Sequence, residues 1–132
     1  MANVVRPGSD ITLIGYGGAV SDMVAAADQM AQEGVQAEVI DLRTISPWDQ
    51  ATVLASVART RRAVVVHEAV QQFGVGAEIS SRIHEELFGE LAGPVARVAS
   101  KNVPVPFARS LEDAYVYQVV DIVEAARRLT QS

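Results

Sequence analysis

Apolar positions along this chain follow two rhythms, and their alternation sets out the elements. Residues 11–14 (ITLI) and 63–66 (AVVV) are short, nearly unbroken apolar runs. Runs of that length belong to strands buried on both faces of a parallel sheet. Elsewhere apolar residues recur every three or four positions. Val20, Met23, Val24, Ala27, Met30 and Ala31 make one stripe, as expected of a helix with one face on the core. Gly34 is well placed to end it, because glycine tolerates a left-handed cap.

Residues 38–42 supply the next strand. Ser46 and Pro47 are expected to open a second helix, since serine can cap free N–H groups and proline loses nothing at the first helical position. Asp49 then suits the first turn, where the helix dipole favours negative charge. Ala51, Leu54, Val57 and Ala58 are expected to face the core. A third helix, from Ala77 to Phe88, is predicted to bury Ile79, Ile83 and Leu87. Residues 95–98 form the last strand, and residues 102–109 a proline-bearing loop. A final helix from Gln118 to Thr130 presents Val119, Ile122, Val123, Ala126 and Leu129. Residues 3–6, with paired valines and a stop at Pro7 and Gly8, read as an edge strand. The order β-β-α-β-α-β-α-β-α predicts an α/β fold: a mostly parallel sheet covered by helices on both faces, with right-handed crossovers.

Composition narrows the class. A chain of 132 residues, 49% apolar and 20% charged, is one soluble-type domain long enough to bury a full core. The net charge of −5 argues against a nucleic acid or an anionic membrane as main partner. With no cysteine, disulfides, thiolate metal sites and a cysteine nucleophile are excluded. No apolar run approaches the roughly 18 residues that span a bilayer. The first residues lack the basic and apolar regions of a secretory signal, so the cytoplasm is the expected compartment.

Three places carry candidate chemistry. Gly15, Tyr16, Gly17 and Gly18 lie between a strand and a helix, where a phosphate can meet free N–H groups. The dinucleotide motif, however, would require a third glycine where Val20 stands, so a tight turn is the simpler reading. Asp41 and Arg43 flank Leu42 at a strand's carboxyl end, suited to a ligand crevice, a subunit boundary or a local contact. His67 and Glu68 end a buried strand, where open α/β sheets place ligand groups. Histidine can move a proton there and glutamate can orient it, but neighbours on a strand point to opposite faces, and an interface or loop-anchoring role also fits. His84 reads as a solvated or boundary residue. Arg59, Arg61 and Arg62 suit the end of a helix or a phosphate. Trp48 reads as core or interface.

Several stretches together resemble a known family. Residues 8–17 (GSDITLIGYG), 39–47 (VIDLRTISP), 64–69 (VVVHEA), 76–79 (GAEI), 103–107 (VPVPF) and 111–115 (LEDAY) are similar, in order, to the transketolase C-terminal domain. They resemble most the form found in the β subunit of two-component 2-oxoacid dehydrogenases of the pyruvate or branched-chain type.

The resemblance implies a three-layer α/β/α sandwich around a five-stranded mixed sheet, mostly parallel, with one antiparallel edge strand. It implies that residues 1–132 are one such domain, an isolated piece of a longer β subunit whose preceding domain supplies the glutamate that activates thiamine diphosphate. The cofactor and its Mg²⁺ would belong to the full assembly and not to this chain alone. Expected partners are a second β subunit across a two-fold contact, the α subunit and the lipoyl acyltransferase core. Asp41, Arg43, His67, Glu68, Phe73, Glu78 and Phe107 are the interface candidates, with no catalytic or metal-binding residue expected. Where some relatives place an acidic residue before an Ala-Pro pair to dock the core, this chain has Ala92. The reading from another class is a freestanding α/β domain that binds a small ligand or regulator at residues 15–18 and His67.

Overall fold

The computed structural model describes residues 2–43, 48–67, 75–99 and 117–131. Five strands, β1 (Asn3–Arg6), β2 (Ile11–Gly15), β3 (Ala37–Asp41), β4 (Ala63–His67) and β5 (Ala96–Ala99), form one sheet in the order β1-β3-β2-β4-β5. β1 runs antiparallel to β3, and the other pairs are parallel. The expected mixed sheet with one antiparallel edge strand is therefore present. β2 and β4, the two unbroken runs, lie side by side in the middle and are buried along their whole length.

Four helices among the described residues cover the sheet: α1 (Ala19–Gln32), α2 (Gln50–Thr60), α3 (Val75–Leu87) and α4 (Val119–Thr130), with a 3-10 turn at Phe88–Glu90. Period-two alternation sorts the strand residues between two cores. Ile11, Leu13, Val39, Val64 and Val66 pack with Met23, Ala27, Ile122 and Ala126 under α1 and α4. Ile14, Ile40, Val65 and Trp48 pack with Val53, Val57, Ile79 and Ile83 under α2 and α3.

The helix ends follow local chemistry. Gly34, at φ +86°, closes α1 as predicted, its N–H donating to the Ala31 carbonyl and that of Val35 to Met30. α2 departs from expectation in two ways. Its cap is Asp49, whose carboxylate accepts from the N–H and hydroxyl of Thr52, and the helix begins at Gln50; Ser46 and Pro47 lie outside the described residues. A charged acceptor caps more strongly than a hydroxyl, and these hydrogen bonds hold the Asp49 carboxyl below the usual range. With the start moved, the inward face turns: Val53, Ser56, Val57 and Thr60 are buried, while Ala51 is exposed and Leu54 and Ala58 are half-buried. α4 opens with a capping box between Gln118 and Asp121. It is tied to α1 by the buried Tyr117, whose hydroxyl donates to Asp22 over 3.1 Å.

Candidate functional site

In a parallel sheet, ligand groups gather outside the carboxyl ends of the strands, at the point where the strand order reverses. Here that point lies between β2 and β4. The turn after β2 is built tightly. A Cβ on Gly15 would stand 2.7 Å from the Val66 carbonyl oxygen and 3.0 Å from the end of Met23, so glycine is needed to let β2 lie against β4. Gly17 takes φ +62° to turn the chain into α1. The N–H groups of Ala19 and Val20, which a phosphate would need, already donate to the carbonyls of Tyr16 and Gly17. The turn therefore serves packing, the simpler of its two readings.

Asp41 ends β3 half-buried, and its carboxylate accepts from the Arg43 N–H over 2.9 Å. That contact holds Arg43 at φ +65° with its side chain exposed, a local Asx turn. His67, the last residue of β4, is 2% exposed. Its ring lies over the first turn of α3: a Cβ on Gly76 would be 2.3 Å from Nε2. Asp41 and His67 thus share one end of the sheet with β2 between them, roughly 10 Å apart by strand spacing. Glu78 is exposed in the first turn of α3. Glu68, Phe73 and Phe107 lie outside the described residues. Among the described residues no three His, Asp or Glu side chains are grouped to hold a metal ion, and no helix is long and apolar enough to cross a membrane.

The three arginines after α2 disperse. Arg59 pairs with Glu38, Arg61 donates to the Glu90 carbonyl, and Arg62 donates to the Leu129 carbonyl. They form no joint phosphate site. His84 is a boundary residue as expected, half-buried, with Nε2 accepting from the Val95 N–H.

The most elaborate polar group was not foreseen from sequence. Glu38, 4% exposed on β3, accepts from the Ser56 hydroxyl at 2.7 Å, the Gly8 N–H at 3.1 Å and the Arg59 guanidinium. Thr12 on β2 lies 2.8 Å from the hydroxyls of both Ser56 and Thr60. Burial pushes the Glu38 carboxyl up, but the hydrogen bonds from Ser56, Gly8 and Arg59 outweigh it, so the group sits below the usual carboxylate range. The readable trace was polar Ser56 and Thr60, four apart, within the apolar face that carries Val53 and Val57. The network sits at the amino end of the sheet, away from the carboxyl ends of the strands, and joins β2, β3 and α2.

Among the described residues Phe88 is the most exposed large apolar side chain. Phe88 is 82% exposed at the end of α3, beside an open groove of about 260 Å³ lined by His84, Phe88, Leu91, Gly93 and Pro94. Glu85, Glu86 and Glu90, close to it along the chain, are all exposed.

Comparison with known proteins agrees with this fold. The chain is 44% identical over 130 residues to the mitochondrial pyruvate dehydrogenase E1 component subunit beta of Dictyostelium discoideum, covering 98% of this chain and 36% of that protein. It is 42% identical over 127 residues to the acetoin:2,6-dichlorophenolindophenol oxidoreductase subunit beta of Cupriavidus necator, covering 96% of this chain and 38% of that one. The chain thus spans little more than a third of the length of these relatives. A solved structure described as a split gene transketolase, inactive beta4 tetramer, superposes with a TM-score of 0.82 at 24% identity, over 99% of this chain and 42% of that one, a likeness of fold. The family model for the transketolase C-terminal domain matches residues 1–122, and the chain belongs to that family.

Proposed function

We propose that this chain is the assembly-forming C-terminal domain of the β subunit of a thiamine-diphosphate-dependent 2-oxoacid dehydrogenase, with the reactive centre built elsewhere in the enzyme. The observation that carries the reading is the state of the sheet's carboxyl end. Gly15 is pressed against β4, the first N–H groups of α1 bond within their own turn, and His67 is packed over Gly76. A crevice filled by the chain's own contacts is poorly suited to a cofactor, whereas the exposed α3 corner is suited to a partner.

In this reading thiamine diphosphate and Mg²⁺ are bound by the full assembly and not by this chain alone, and the substrate is a 2-oxoacid of the pyruvate or branched-chain type. The partners are a second β subunit, the α subunit and the lipoyl acyltransferase core. Asp41, Arg43 and Glu78 are offered as interface groups from the surface, and His67 as a buried anchor for the segment that follows it. The proposed compartment is the cytoplasm, although the Dictyostelium relative is mitochondrial by name.

Calorimetry of the 132-residue chain with thiamine diphosphate and Mg²⁺ tests the division of labour. No tight binding is expected, and micromolar affinity overturns it. Sedimentation of the same chain at high concentration is expected to reveal weak dimers. A strictly monomeric chain would remove the two-fold contact from this domain.

A further inference from the structure

The connection from α3 to β5 is fastened at three points. The Leu91 N–H donates to the Leu87 carbonyl at 3.2 Å. The Ala92 N–H donates to the Arg61 carbonyl at 2.8 Å, and Arg61 Nε returns a bond to the Glu90 carbonyl at 2.7 Å. These use backbone groups and a guanidinium, whose protonation is constant across the physiological range. The third point is different. The Val95 N–H donates over 3.2 Å to Nε2 of the half-buried His84. A ring nitrogen that accepts carries no proton, so this bond needs a neutral imidazole with its hydrogen on Nδ1.

We propose that His84 is a proton-sensitive latch on the α3–β5 connection. Neutral, it holds Val95 and with it the Gly93 and Pro94 wall of the groove beside Phe88; protonated, it sets N–H against N–H and releases that wall. The groove is otherwise lined by Phe88, Leu91, Gly93 and Pro94, so protonation also gives an apolar groove a positive charge. The titratable and charged groups on the surrounding elements have their own engagements or exposure. On α3, Arg82 pairs with Glu85 and Glu86. From α2, Asp49 caps its own helix, Arg59 pairs with Glu38, and Arg61 holds the Glu90 carbonyl. Glu90 of the 3-10 turn and Arg97 of β5 are exposed, and His67 of β4 is buried over Gly76. None of these replaces His84 as the acceptor for the Val95 N–H.

Nitrogen-15 NMR of the intact chain tests this. At pH 8 the His84 ring is expected in the Nδ1–H form. On acidification the Val95 amide should shift with the same midpoint as the ring, while Ala92 stays in place. Hydrogen-exchange protection of Val95, corrected for the intrinsic pH effect, should fall about fivefold between pH 8 and pH 5. In His84→Gln, which keeps an acceptor without a titrating nitrogen, the fall should vanish. In His84→Ala, protection should be low at both pH values. An Nε2–H ring at pH 8, a Val95 amide indifferent to the ring's titration, or an unchanged fall in His84→Gln overturns the proposal; the last readout stands even if His84→Ala does not fold.

Discussion

The carboxylate of Glu38 and the hydroxyl of Ser56 lie 2.7 Å apart, joining β3 to α2 across 18 residues of sequence. The bond places a charge inside the sheet–helix seam and keeps it ionised. Ser56 spends its proton on Glu38, so Thr12 must donate to Ser56, and Thr60 then donates either to Thr12 or to the Arg62 carbonyl. One carboxylate thereby orients a row of hydroxyls.

Stability should follow the ionisation of Glu38. Its folded-state carboxyl is held below the usual range, so the contribution is complete above the ordinary glutamate value of about 4.3 and is lost as pH falls through the lower folded-state value. Urea unfolding at pH 7 should show Glu38→Gln less stable than the parent by about 1–3 kcal/mol. The gap should narrow toward pH 3. A gap that stays constant over that range would mean the charge contributes nothing.

Removing hydroxyls from the row should be non-additive. Ser56→Ala and Thr12→Val are each expected to cost about 1–2 kcal/mol. The double variant should differ from the sum of the two by at least about 0.5 kcal/mol, because both act on the same chain of donors. Strict additivity in denaturant melts would show that the two hydroxyls act separately.

Packing of His67 over Gly76 should be reciprocal. Gly76→Ala places a methyl group 2.3 Å from the ring nitrogen, and the overlap should cost about 1–3 kcal/mol. Adding His67→Ala should cost less in the Gly76→Ala background than in the parent, since the small side chain makes room for the new methyl. Thermal melts of the four proteins check this, and equal costs in both backgrounds contradict it.

Phe88 should contribute little to folding. At 82% exposure it has no core to leave, and Phe88→Ala should stay within about 0.5 kcal/mol of the parent. In the assembled enzyme proposed above, the same change should weaken whichever subunit contact covers the α3 corner. A large loss of stability in the isolated chain would instead give Phe88 a structural role.

Much of the architecture was legible along the chain because its causes are local. An apolar run such as residues 63–66 has no stable place except between two covered faces, and the spacing of Ile79, Ile83 and Leu87 admits one helical face. Gly34 and the edge position of β1 followed from backbone freedom and from Pro7. The start of α2 did not, because Asp49 reads along the chain as a first-turn acid and only its bonds to the N–H and hydroxyl of Thr52 show it as the cap. Nor did the burial of Glu38, whose partners Ser56, Arg59 and Gly8 stand 18, 21 and 30 residues away. Hydrophobic periodicity is written residue by residue, so the sequence by itself determined the order of the elements and most of their inward faces, that of α2 excepted. A buried charge is tolerated only where distant donors converge on it, and that convergence exists only once the sheet and α2 are in place.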